Sequence, residues 1–201
     1  MRAPSGLLLL GILLAACGPT TGSPTPSPST APTPTPASTQ PAGTATSTPG
    51  PGTVAIDASL LDVLPETVDG LDLVESPDAE LAALDDPQLE AVAASIAAGI
   101  AVDPATGGFV YAVVVRLLPN TMNETVYRDW RDSYDEGACS QAGGVAGHAE
   151  TEIGGRTVYI GTCAGGLRTY HVWLEEKEVL ISVSAVGERR LGEHLVENLR
   201  P

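Results

Sequence analysis

Apolar positions in this chain fall into two regimes. From Val54 onward they recur with the periods of strands and helices, whereas the first 53 residues hold one apolar block and then no other. FVYAVVVRLL, residues 109–118, is β-branched and apolar on both faces, which predicts a central strand that Pro119 ends. After Gly147 the pattern becomes HAETEI, RTVYIGTC, RTYHVWLE and VLISVSAV, parted by Gly154-Gly155, by Ala164-Gly165-Gly166 and by a short charged turn. Alternating runs with such turns predict an antiparallel meander.

Helical spacing marks the rest. Met122, Val126, Trp130 and Tyr134 recur every four residues behind a Thr121/Glu124 capping box, so a helix is expected over 122–138 with its aromatic stripe on the core. Leu191, Leu195 and Leu199 predict a closing helix. Between Asp57 and Asp103 the pattern reads as short helices behind a brief strand. Ser76-Pro77 and Asp86-Pro87 are helix starts, and Leu89, Val92, Ala93, Ile96 and Ile100 extend the second helix to about Gly99. Asp103 to Gly108 is a turn. Together these predict one α+β domain over 54–201, with a largely antiparallel sheet of four to six strands and helices on at least one face.

The apolar block near the start is GLLLLGILLAA, residues 6–16, preceded by Arg2 and followed by Cys17. About 11 apolar residues are too few for the ~20 that cross a bilayer as a helix, so the block reads as a secretory signal that is removed, residues 1–16. Leu14, Ala15, Ala16 and Cys17 resemble the lipobox of bacterial lipoproteins. That resemblance covers only the leader. It implies that the Cys17 thiol receives a diacylglyceryl group and becomes the mature N-terminus, placing the protein outside the cytoplasm on a cell membrane. Two acyl chains give stable anchoring, because each buried methylene contributes ~0.8 kcal/mol and a single chain binds only marginally.

Residues 18–53 contain ten prolines and sixteen Ser or Thr in 36 positions and no charge. Nothing there can offset chain entropy, so a disordered tether with polyproline II bias is expected over 17–53. Its reach is roughly 35 Å as a coil and about 110 Å extended. Ser/Thr interleaved with Pro also suits O-glycosylation.

Charge narrows the partners. The chain carries 25 acids against 10 bases, a net −15, and loss of Arg2 with the leader takes the mature form to −16. That sign argues against a nucleic-acid partner and against direct docking on anionic lipid, leaving the acyl group as the expected membrane contact. Twelve acids lie between Asp57 and Asp103 with no Lys or Arg among them. They lack the Asp-x-Asp-x-Asp-Gly order of a calcium loop and read as solvated surface.

After cleavage and lipidation Cys139 and Cys163 are the only free thiols. In an oxidising compartment an even pair predicts a structural disulfide. The competing reading takes Gly161-Thr162-Cys163-Ala164-Gly165 as G-x-C-x-G, which resembles the nucleophile elbow of some α/β-hydrolases and implies a small cell-envelope hydrolase using Cys163. An elbow requires a strand turning into a helix, and here another strand is predicted next. His148, His171 and His194 sit in separate elements without ligand spacing, so no common metal focus is expected and no cofactor is implied. Asn123-Glu124-Thr125 is a glycosylation sequon inside a predicted helix and is discarded. Trp130, Trp173 and the tyrosines suit either core or a ligand cleft. The expected function is therefore a membrane-anchored, non-catalytic domain for an envelope protein or small ligand.

Changing Cys17→Ser is expected to release the protein to the medium or leave an uncut precursor, scored by fractionation and immunoblotting. Mature-length C17S chain on membranes would contradict lipid anchoring.

Overall fold

The structure, a computed structural model, describes residues 53–84 and 86–200. The leader, Cys17 and the tether up to residue 52 lie outside the described residues. Four runs rich in Val, Ile, Tyr and Thr form the strands their alternation predicts: β7 (Val145–Ile153), β8 (Arg156–Cys163), β9 (Arg168–Leu174) and β10 (Val179–Val186). Ahead of them come β1 (Ala55–Ile56), a 3₁₀ turn (Ala58–Val63), the small hairpin β2 (Thr67–Val68) and β3 (Leu71–Asp72), and β4 (Val74–Glu75). Then follow α1 (Pro77–Ala83), α2 (Pro87–Val92), β5 (Ala93–Val102), β6 (Phe109–Leu117) and α3 (Glu124–Cys139), and α4 (Leu191–Glu197) closes the chain.

Among the described residues the main sheet has eight strands in the order β1-β5-β6-β10-β9-β8-β7, with β4 also pairing β5. Every pairing is antiparallel except β1 with β5. The α+β class holds, and the sheet is larger than the four to six strands expected from sequence. The extra strands come from the acidic segment. The helix expected from Pro87 to about Gly99 stops at Val92, and Ala93–Val102 is a ten-residue strand. The reason is burial on both faces: Ile96, Ala97, Ala98 and Ala101 are all buried, so the run lacks the alternation of a half-exposed strand and mimics helical spacing. Gly99 faces Leu61 and Leu73, whose side chains lie where a Cβ would just make contact.

Strand period two sorts side chains onto two faces. Val179, Ile181, Val183 and Ala185 of β10 share one face with Val110, Val114, Tyr170 and Val172, packed beneath the 3₁₀ turn and α4 through Leu60, Leu64, Leu191 and Leu195. Leu180 turns to the other face with Ile96, Val113 and Val115, beneath α2 and α3 through Leu89, Val92, Tyr127 and Trp130. Helical elements therefore cover both faces. Each buried leucine contributes ~1.5–3 kcal/mol, so the two layers supply most of the driving force.

The N-cap of α3 differs from the expected capping box. Asn123, in extended conformation, accepts from the N–H groups of Thr125 at 3.0 Å and Val126 at 3.2 Å. Thr121 instead donates its hydroxyl to the Leu118 carbonyl at 2.7 Å. The helix thus starts where the carboxamide, not the hydroxyl, can reach two free donors. No helix among the described residues is long and apolar enough to cross a membrane.

At the far end of α3, Cys139 is bonded to Cys163 at the end of β8, with Cα atoms 5.2 Å apart. Residues 24 apart are joined, and closing a loop of this size stabilises by about 3.5 kcal/mol in the chain-entropy description. Cys139→Ala, Cys163→Ala and the double variant are each expected to melt roughly 10 °C lower, and the double loss should fall well short of the sum of the singles. Additive losses in calorimetry would show that the two sulfurs act independently.

Candidate functional site

The inner side of α3 carries two adjacent stripes. Asp135 and Cys139 point down at β8 and β9, while Trp130, Tyr134 and Ala138 border a groove beside the helix. The first stripe is polar where a core is expected. Asp135 is fully buried, and it sits over Gly161, whose missing side chain makes room: a Cβ there would overlap the Asp135 carboxylate and the Thr169 hydroxyl.

Two hydrogen-bond donors and one further imidazole meet that carboxylate. His171 Nε2 lies 2.9 Å from Oδ1, and the Thr169 hydroxyl donates to the same oxygen. His148 Nε2 lies 3.0 Å from Oδ2 at ion-pair distance, although Oδ2 receives no hydrogen bond among the described residues. Thr169 in turn accepts from the Gly161 N–H at 3.1 Å. On the other side of the imidazole, His171 Nδ1 is 3.0 Å from Ser182 Oγ, which accepts from the indole N–H of Trp130 at 3.1 Å. Because indole only donates, Ser182 accepts from Trp130, and the contacts run on from Ser182 to His171 and from His171 Nε2 to Asp135. Tyr134 stacks edge-on against His171 with ring centroids 5.2 Å apart, and its hydroxyl is 3.1 Å from Ser184 Oγ.

Burial pushes the Asp135 carboxyl up, but the hydrogen bonds from His171 and Thr169 and the charges of both histidines outweigh it, so its pKa lies below the usual value. It is held as a carboxylate.

Ser182, His171 and Asp135 have the composition of a hydrolytic triad but not its access. All three are closed to solvent, at 1 %, 0 % and 0 % exposure, and Ser182 is already an acceptor for Trp130. A nucleophile must meet its substrate, so this constellation serves packing. Cys163 is 2 % exposed and bonded to Cys139, and the segment after it is β9, so the thiolate and the strand-to-helix turn that a cysteine elbow needs are both lacking there.

The histidines fall into two places. His148 and His171 do share a focus, namely Asp135, whereas His194 pairs with Asp69, its Nδ1 2.8 Å from Oδ1. Among the described residues no group of three or more His, Cys, Asp or Glu is placed to hold a metal ion. The signal for the network was Thr169, His171, Ser182 and Ser184 on one strand face, which becomes visible only once β9 and β10 are registered His171 to Ser182 and Ser184 to Thr169.

The groove lies between α1 with α2 on one side and α3 on the other, and measures about 840 Å³. It exists because the facing helices present small residues: Ala79, Ala82 and Ala83 against Gly137 and Ala138. Sheet residues Ile100, Tyr111, Val113 and Ser184 make the floor, and Leu89, Phe109, Trp130, Tyr134 and Leu167 add apolar and aromatic surface. One wall is pinned by Glu80 of α1, buried, whose Oε1 accepts from the Ala98 N–H at 2.9 Å. Trp173, the other tryptophan, packs on Tyr127 rather than in the groove.

Asp135→Asn is expected to destabilise the fold by about 2–3 kcal/mol at neutral pH, since charge-assisted bonds are weakened and a buried site is left imperfectly matched. The folded pKa of Asp135 is depressed, so its contribution is fully present above the unfolded value near 3.9 and is lost as pH falls through the folded value. Urea titrations should therefore show the gap between wild type and D135N largest at neutral pH and closing below pH ~4. A gap independent of pH would contradict this.

Comparison with protein-family models, with curated proteins and with solved structures finds no match to this chain.

Proposed function

We propose that this chain is an exported lipoprotein, anchored through Cys17, whose α+β domain is a non-catalytic binding module for a small apolar molecule held in the groove between α1 with α2 and α3. The anchor and the Pro/Ser/Thr-rich tether rest on residues 1–53 of the sequence, and a strongly acidic domain of this kind has no use for nucleic acid.

The observation that carries the binding function is the groove itself. Its volume of about 840 Å³ falls in the range of small-molecule sites, and its surface is mainly apolar with a few hydroxyls converging on the floor. Alanine and glycine on the facing helices make the space where larger side chains would close it, leaving apolar walls for a small molecule to pack against. The disulfide and the Asp135 network fix α3 before anything binds, so little ordering remains to oppose association.

Solvent extraction of the purified full chain followed by mass spectrometry is expected to recover one class of apolar molecule near equimolar ratio. Ala138→Phe, which fills the groove from a half-buried position without touching Asp135 or Cys139, should abolish recovery while circular dichroism stays unchanged. Equal recovery from both proteins would refute the groove as the binding site.

A further inference from the structure

The groove's polar atoms carry more information than its volume. Its lining includes the hydroxyls of Tyr111, Ser133, Tyr134 and Ser184, and no Lys, Arg or His. Among the described residues the one charged side chain in the lining is Asp86, whose carboxylate caps α2 by accepting from the Gln88 N–H at 2.8 Å, and the Gln88 carboxamide lines the groove beside it. A second acid, Glu80, pins the α1 wall, and burial, with the Glu80 charge adding to it, raises the Tyr111 pKa. Burial raises Tyr134 strongly as well, despite its bond to Ser184, so both phenols stay neutral.

Tyr134 and Ser184 form a hydroxyl pair 3.1 Å apart. One of them donates to the other, which leaves one O–H proton and several lone pairs facing the groove. Such a pair can donate to a carbonyl or both donate to and accept from an alcohol. It offers nothing to a carboxylate or phosphate beyond a single neutral bond. An anion entering here would give up water and meet neutral hydroxyls and a carboxamide, with acids and no cation among the described lining residues, and a buried charge without a charged partner is unfavourable. A buried cation fares little better, since Asp86 is at the exposed mouth and one Glu80 oxygen is already engaged with Ala98.

Building on the groove as the binding site, we propose that its ligand class is the uncharged amphiphile: a hydrocarbon chain lying along the alanine and aromatic walls, with a hydroxyl or carbonyl seated on Tyr134 and Ser184, and that fatty acids and other anionic lipids are rejected. A fatty acid could enter only after taking up a proton at its carboxylate. Its binding therefore strengthens as pH falls, while that of a neutral lipid does not change.

The test uses the full chain in nanodiscs, with the A138F chain in matched nanodiscs subtracted so that partition into lipid cancels. A monoacylglycerol, a fatty acid and an alkyl trimethylammonium of one chain length are titrated and read by tryptophan fluorescence from Trp130. Monoacylglycerol is expected to bind at least tenfold tighter than either charged probe at neutral pH, and the double variant Y134F/S184A to weaken it about tenfold. Arginine at the mouth, Ala82→Arg, should let the fatty acid bind. Equal or tighter binding of the fatty acid or of the ammonium would overturn the charge selection while leaving the groove as a site. Unchanged monoacylglycerol binding by Y134F/S184A would overturn the head-group placement, and no binding of any probe would overturn the groove reading with it.

Discussion

The carboxylate of Asp135 is the constraint around which the α3 side of the molecule is arranged. A charge taken out of water costs several kcal/mol unless donors replace the lost hydration. Here those donors are Thr169 and His171 on β9, with the Gly161 N–H on β8 orienting Thr169 and His148 of β7 at ion-pair distance. Because side chains alternate, a one-residue slip of β9 would turn Thr169 and His171 to the opposite face and leave the charge stranded. The buried acid thus fixes register as well as the position of α3, and the Cys139–Cys163 bond repeats the tie one helical turn further on.

That tie explains how a groove can persist beside the helix. Alanine and glycine on facing helices invite collapse, since every unfilled volume forfeits dispersion contacts. Collapse would require α3 to shift toward α1. Asp135 and Cys139 prevent such movement from one side, and Glu80, bonded to the β5 backbone, holds α1 from the other. Trp130 and Tyr134 belong to both systems: each lines the groove, while the Trp130 indole N–H feeds the Ser182–His171 chain and the Tyr134 ring stacks on His171.

Much of this was legible in the sequence. The meander β7 to β10 follows from period-two alternation punctuated by glycine pairs, α3 from a four-residue beat, and the cysteine pairing from parity and compartment. Two things were hidden, for different reasons. β5 is covered on both faces, so Ala93–Val102 shows no strand period and its isoleucines imitate a helix. The Asp135 network joins positions 148, 169, 171 and 182, which lie near one another only through strand register. Histidines without ligand spacing looked scattered, yet two of them meet a carboxylate that local sequence marks only as a polar residue beside an aromatic stripe. The cavity was equally silent, because alanine in a helix signals propensity before it signals absence of packing.

The placement of charge then acquires a meaning beyond solubility. Twelve acids without a base run from Asp57 to Asp103, and this segment supplies α1, α2 and the adjoining strands, which make up one side of the groove. The field at the entrance is therefore negative. Between exposed charges such a field fades over about 8 Å at physiological ionic strength, so it acts on a ligand only as it arrives at the mouth. An anionic amphiphile is opposed twice, at approach by the acidic surface and in the groove by lost hydration. A neutral one is indifferent to the first barrier and, through Tyr134 and Ser184, is matched at the second. On the proposed reading, a site that turns away the anion and admits the neutral amphiphile needs no recognition element beyond its hydroxyl pair and the absence of a cation from its described walls.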